Sequence, residues 1–354
     1  MRRSWSGRWI FLWSWLLAGA CVQPLALPEI GSNGYFFVDG LLTQERVVVR
    51  MYGSADSLQA PLMPITDAAV TIFSDQGELM QLELQLDGSY QSGTNTWQGE
   101  LNERYWLRID RRDGRVYESD RQQLKIAGLI DRTEVLFRPN YFRDAETTPH
   151  AMEVRITATK PINQPLLRWR WTGTYQVLTY PERIPIRVNM FGQVIQEPPP
   201  CAVSSTCTCC QCWVTEQNSQ PLLARPTSGP GESETKVIAL LPVDAHRFSE
   251  RYRLEIEQLS LDVNSYRFWQ QVEAQMQAQT NLFQPAVLRL QGNIRNVADP
   301  SEVVLGLFTV SGVSRVVIDI DPLQVPNGFR MREEILQDCR LAFRNSKNVK
   351  PLFW

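Results

Sequence analysis

From Tyr35 onward the chain is broken into short β-forming runs closed off by turn residues, a spacing that favours stacked sheets over any other fold. Tyr35–Leu41 and Val47–Tyr52 are followed by Ala69-Val70-Thr71-Ile72-Phe73. An alternating stretch over Glu78–Leu86 comes next, in which Leu82, Leu84 and Leu86 keep the phase. Asp87-Gly88 and Asp113-Gly114 are hairpin turn signals, the second flanked by Tyr105-Trp106-Leu107-Arg108-Ile109 and Val116-Tyr117. Strands at this spacing, with no helical period, predict a small antiparallel β-sandwich over residues 35–125.

Residues 126–354 read as a larger β-rich domain. Strands are expected at Met152–Thr159, Leu166–Leu178, Lys236–Leu241, Tyr252–Gln258, Val303–Val310 and Val313–Ile320. Trp169 and Trp171 alternate with Arg170, so both indoles should point to one face, more naturally a core than a ligand platform. Residues 196–235, with Pro198-Pro199-Pro200 and the loop Pro226–Glu232, are expected to form an irregular, cysteine-rich excursion. One helix is predicted from Ser265 to about Gln279, capped by Asp262 or Asn264, with Tyr266, Trp269, Val272 and Met276 on its packed face.

The first twenty residues carry an export pattern. Arg2, Arg3 and Arg8 precede the short apolar run Trp9–Leu17, and the small residues Ala18-Gly19-Ala20 lead into Cys21. Leu17-Ala18-Gly19-Ala20-Cys21 resembles a bacterial lipobox, whose cysteine is acylated and becomes the mature N-terminus. A lipid bilayer is then the first expected partner, reached through acylated Cys21, because several acyl chains anchor firmly where one does not. Residues 21–34, with Pro24, Pro28, Gly31 and Gly34, read as a tether. After position 20, no apolar run reaches the roughly 18 residues of a spanning helix.

Formal net charge is −2; loss of the three leader arginines leaves 33 basic against 38 acidic residues. That balance gives no general electrostatic case for nucleic-acid binding.

Beyond Cys21 stand Cys201, Cys207, Cys209, Cys210, Cys212 and Cys339, an even set suited to disulfides in an oxidising compartment. Six cysteines allow fifteen pairings, and spacing does not choose among them. Cys209 and Cys210 are adjacent and are expected to pair elsewhere, whereas Cys339 can reach only the 201–212 cluster. The rival reading is metal or redox work, since Cys207–Cys210 and Cys209–Cys212 both have C-x-x-C spacing. Those pairs interleave, however, whereas zinc ribbons separate theirs.

Catalytic motifs are scarce. With only His150 and His246, a three-histidine metal site is impossible, and no His-Glu-x-x-His, Gly-x-Ser-x-Gly or phosphate-binding loop occurs. Asp244-Ala245-His246-Arg247-Phe248-Ser249 offers an acid, a base and a hydroxyl, but triads are assembled from separate loops. Carboxylates distant in sequence could still meet in a hydrolase cleft. The expectations are therefore no enzyme, no cofactor and no resident metal.

Several segments together resemble one known family. They are Leu241-Pro242-Val243-Asp244-Ala245-His246-Arg247-Phe248, Tyr252–Leu259, Tyr266-Arg267-Phe268-Trp269, Gly292-Asn293-Ile294-Arg295-Asn296 with Leu305-Gly306-Leu307-Phe308, Trp169-Arg170-Trp171, and the cysteines before Trp213. This set is similar to the Bacteroidota lipoprotein family catalogued as domain of unknown function 4249. Pro64–Ile72 through Asp87-Gly88-Ser89-Tyr90 also resembles a carboxypeptidase-regulatory type of sandwich. The fold class expected is thus mainly β: an immunoglobulin-like or carboxypeptidase-regulatory-like β-sandwich, plus a larger β-rich C-terminal domain with one amphipathic helix. The resemblance implies a lipid-anchored outer-membrane protein, on its periplasmic or cell-surface face, beside a TonB-dependent β-barrel transporter. It supplies no catalytic residue. The expected role is a non-enzymatic accessory or ligand-capture subunit, with a metal-handling or redox lipoprotein as the alternative.

Overall fold

A computed structural model describes residues 35–54, 61–93, 97–143, 145, 148–162, 166–203, 206–224, 230–279, 290, 292–330 and 333–354. The leader, Cys21 and the tether lie outside these residues. The chain is mainly β, as its run spacing predicts.

Two sheets close over a first core. One runs in the order Val304–Val310, Tyr35–Leu42, Val47–Ser54, Tyr90–Gln91, Glu83–Leu84. The other runs Ile294–Asn296, Val116–Ser119, Arg104–Arg111, Ala68–Ser74, Gly77–Gln81. Alternation along Tyr35–Leu42 sends Phe36, Val38 and Leu42 inward to meet Val70, Ile72, Leu107, Ile109 and Tyr117. The rings of Phe36 and Tyr117 lie 4.6 Å apart.

Residues 294–310 thus supply strands to both sheets of this sandwich, so its members are not confined to residues 35–125. Val304–Val310 runs parallel to Tyr35–Leu42, a departure from the antiparallel expectation. Parallel neighbours need a crossover connection. Here that connection contains most of the second set of sheets, whose strands Val313–Ile320 and Ser346–Lys347 alone follow it.

The second core lies between the sheet Ile130–Arg138, Ala151–Thr159, Ser233–Pro242 and the sheet Val313–Ile320, Tyr252–Ser260, Leu167–Leu178, Gln211–Gln217, Ser346–Lys347. Trp169 is fully buried in it, and Trp171 packs partly buried against the same core, as their alternation predicts. The indole N–H of Trp169 donates to Gln258 Oε1 at 2.8 Å, and Gln258 Nε2 donates to the Ala127 carbonyl.

Two local expectations are corrected. The excursion at 196–235 contains a seven-residue strand, Gln211–Gln217, beside Leu167–Leu178, because Cys212, Trp213 and Val214 are buried there. Leu84 and Leu86 keep the phase of Leu82 but are exposed, since Glu83–Leu84 is a short strand at the edge of its sheet among the described residues. The helix spans Val263–Gln279, and Asp262 Oδ1 accepts from the Ser265 N–H at 2.6 Å, which identifies the cap. Tyr266 is buried and Trp269 half-buried, packed with Leu223 and Leu261 beside the second sandwich.

Side-chain amides join parts of the fold where strands do not: Gln122 and Asn293 link the two sheets of the first sandwich, and Gln44 links that sandwich to the second. Gln122 donates to the Phe308 carbonyl and accepts from the Val310 N–H. Gln44 does the same for both backbone groups of Val313, and Asn293 for both groups of Phe308. Each amide supplies a donor and an acceptor, as a neighbouring strand would.

Gly306 sits where the parallel pair is tightest. Its φ is +95°, and a Cβ there would lie 2.0 Å from the Val38 carbonyl oxygen. Gly306→Ala should therefore cost about 2–4 kcal/mol, combining backbone strain with overpacking. Gly114→Ala, where φ is +85° and space is open, should cost only about 1 kcal/mol. Urea denaturation of both variants checks the difference.

Candidate functional site

The six described cysteines pair as Cys201–Cys209, Cys207–Cys210 and Cys212–Cys339. Cys209 and Cys210 do not join each other, and Cys339 reaches into the cluster. Its bridge spans 127 residues and ties the segment after Val313–Ile320 onto the fourth sheet. Two groupings bring possible ligand atoms within 4.8 Å of one another: Glu182 with Cys207 and Cys210, and Asp338 with Cys201 and Cys209. Every sulfur in them is disulfide-bonded, so neither offers a thiolate unless reduced. Asp338 is instead held by Arg340, which keeps its carboxyl below the ordinary range.

The Asp244–Ser249 segment is a local turn. Asp244 Oδ1 accepts from the N–H groups of His246 and Arg247, and Ser249 Oγ donates to the His246 carbonyl rather than to an imidazole. Arg247 also binds Glu216, which accepts from Tyr252 OH at 2.7 Å. Burial, reinforced by Glu216, drives the Tyr252 phenol far above its usual value. His150 accepts from the Asn140 N–H and packs against Phe137 and Phe329. Both histidines thus have structural partners.

Two features that sequence reading missed stand out. The first is a hairpin, Arg187–Val188 with Val194–Gln196, whose strands pair only with each other among the described residues. Asn189 Oδ1 fixes its tip by accepting from the N–H groups of Phe191 and Gln193, and Gly192 adopts φ +78°. Met190 is 91% exposed and Phe191 81%, with Ile186, Val188, Val194 and Ile195 exposed beside them. Scattered exposed apolar residues are ordinary, but six within ten residues make a concentration of the kind that meets a partner or a membrane. The signal was Asn189 and Gly192 between runs of branched residues.

The second is a cleft of about 500 Å³ between the two sandwiches. The first sandwich contributes the outward-facing Asp39, Arg46 and Arg50, and the second contributes Arg168, Arg170 and Glu257, with Trp269 of the helix closing one side. Glu257 organises the charges. Its carboxylate is nearly buried and binds Arg46 at 3.0 Å, Arg315 at 2.8 Å and Arg170, its cross-strand neighbour. Burial raises the Glu257 carboxyl, but Arg170, Arg315 and Arg46 outweigh it and hold the group below its ordinary value.

Arg168 has no such carboxylate among the described residues. Its guanidinium carbon lies 3.4 Å from the Trp269 ring centroid, a cation–π stack. Burial, aided by repulsion from Arg170, lowers its pKa to about 10, which leaves it charged at neutral pH. A larger depression of about 950 Å³ is lined by Leu101, Ile126 and Leu129, with Glu100 as its one charged residue, and presents no comparable set of groups.

Two outcomes are expected. Denatured, unreduced chain should show no free thiol among the six paired cysteines, and Cys212→Ser with Cys339→Ser should lose up to about 5 kcal/mol, the loop-closure value for so long a loop. Ellman titration and denaturant melts measure these. For Glu257, a depressed carboxyl contributes stability that is complete above the ordinary carboxylate pKa and is lost as pH falls through the lower folded value. Glu257→Gln should be less stable at pH 7 by about 1.5–3 kcal/mol. It should also lose less than the parent between about pH 5 and pH 3, in urea melts across that range.

Comparison with known proteins adds one firm result. No curated protein matches the sequence. Among solved structures, one similar chain belongs to a determination described as the complete structure of manganese lipoxygenase of Gaeumannomyces graminis and partial structure of zonadhesin of Komagataella pastoris. It is 8% identical, covers 66% of this chain and 91% of its own, and gives a TM-score of 0.14. Another, described as the BSP domain of a biofilm associated protein, is 6% identical over 81% of this chain and 61% of its own, with a TM-score of 0.15. Neither likeness is close enough to carry an argument. The model of the domain of unknown function DUF4249 matches residues 23–316, which take in the first sandwich, the hairpin, the cleft and most of the second sandwich, and the chain belongs to that family.

Proposed function

We propose that this protein is a non-enzymatic lipoprotein of the outer membrane that serves a TonB-dependent β-barrel transporter as an accessory, ligand-capturing subunit. Cys21 carries the lipid in this reading, and residues 22–34 tether the two-sandwich body to the bilayer. The observation that carries the reading is the apolar hairpin at residues 186–195, an exposed contact element built onto a body with a charged cleft. The lipobox-like Leu17–Cys21 supports the anchoring, and the family resemblance supports the choice of partner.

The metal or redox alternative draws on the Cys207–Cys210 bridge, whose Cys207 sulfur lies 3.9 Å from that of Cys209. It is the lesser reading, because all six of these sulfurs are held in disulfides, one of which, Cys212–Cys339, ties down the returning C-terminal segment.

Affinity purification of the tagged full chain from detergent-solubilised membranes of its own organism tests the proposal. A β-barrel protein should copurify, and Met190→Ser with Phe191→Ser should reduce its recovery severalfold while leaving the chain's circular dichroism unchanged. Radioactive palmitate should label the chain, and Cys21→Ser should abolish the label. Repeated recovery of an unlabelled lone monomer would overturn the reading.

A further inference from the structure

Two residues that line the inter-sandwich cleft, Arg168 and Trp269, each hold an N–H donor, Nε and Nε1, that is shielded from solvent and meets no hydrogen-bond acceptor among the described residues. A shielded donor left unpaired costs about 1–3 kcal/mol, and folded proteins keep few of them. Here two belong to one stacked unit, since the guanidinium lies directly over the indole.

The neighbouring charges do not fill the need. Arg46 and Arg170 are engaged by Glu257, as is Arg315, and among the described contacts none joins that carboxylate to Arg168. Asp39 lines the same cleft and attracts Arg168 electrostatically, but no hydrogen bond or ion pair joins them. The group that completes the unit must accept hydrogen bonds, carry negative charge and fit a space of about 500 Å³. That volume is in the range of small-molecule sites.

We propose that the cleft binds a small oxyanion, a carboxylate or a phosphate, whose oxygens accept from Arg168 and Trp269. A charge-assisted hydrogen bond from a guanidinium to such a group is among the stronger ones proteins make. Asp39 opposes the anion and so limits its affinity, which favours capture with release over permanent retention. The inference rests on the capture role proposed above, for which it supplies the ligand class.

Calorimetric titration of the detergent-solubilised full chain with benzoate, phenyl phosphate and inorganic phosphate, with neutral benzamide as control, tests it. Saturable binding of the carboxylate or of either phosphate is expected, without binding of benzamide, and which anion binds assigns the source of the oxygens. Arg168→Gln should weaken binding at least about tenfold. Trp269→Phe, which keeps a ring for the stack but loses the N–H, should also weaken it. Asp39→Asn should tighten it severalfold. Should Arg168→Gln fail to fold, the Trp269 and Asp39 variants decide. No heat with any anion, equal binding of benzamide, or unchanged affinity in the variants would overturn the inference. A barrel partner without anion binding would remove this inference alone, and anion binding by a lone, unlabelled monomer would remove the transporter reading alone.

Discussion

Glu257 sits between three guanidinium groups, and the relation of the two sandwiches turns on how it satisfies them. Arg170 and Arg315 lie on the strands either side of it, so their pairing needs only sheet register. Arg46 comes from the first sandwich, some two hundred residues earlier in the chain. A nearly buried carboxylate facing one cation would repay its desolvation poorly; facing three, it remains ionised. The same arrangement commits those arginines and leaves Arg168 as the cation of the cleft without a carboxylate among the described residues. Cohesion between the sandwiches and the character of the cleft are therefore two results of one distribution of charge.

Uncharged amides act where the chain leaves the first sandwich, Gln122 and Asn293 within that sandwich and Gln44 across to the second. Gln44, Gln122 and Asn293 bind backbone groups around residues 308–313, where the chain passes from one sandwich to the other. A bare backbone at such a crossing would bury unpaired N–H and C=O groups. Side-chain amides satisfy them without continuing a sheet across the junction. The junction is consequently polar inside and directional, unlike the apolar cores on either side of it.

Much of the fold was legible because alternation and turns are local. Val313–Ile320 has the limits its pattern gives, and Asp87-Gly88 does close a hairpin between Glu83–Leu84 and Tyr90–Gln91. Legibility ended where pairing is distant. Nothing in Val304–Val310 announces that it runs parallel to Tyr35–Leu42, and Gln211–Gln217 was hidden by its own cysteines. The cleft was illegible for the same reason. Arg168 and Trp269 are a hundred residues apart, and Arg170 meets Glu257 only once the register of two strands is known. The cysteine arithmetic narrowed Cys339 to a cluster, while the choice of Cys212 depended on which sulfur the strand Gln211–Gln217 presents. The acylation expected at Cys21 remains a matter of chemistry at a position outside the described residues.

The parallel neighbour of Tyr35–Leu42 has a temporal consequence. A ribosome or a translocon delivers the N-terminal end first, yet that strand must wait for residues 304–310 before its second edge is covered. Most pairings of the second set of sheets can form in the meantime, since they fall among residues 130–260, and Val313–Ile320 follows Val304–Val310 at once. The portion synthesised earliest is thus among the last to be finished, and through most of biogenesis it carries an open strand edge. Such late closure makes the arrival of residues 304–310 the timer for completion of the first sandwich.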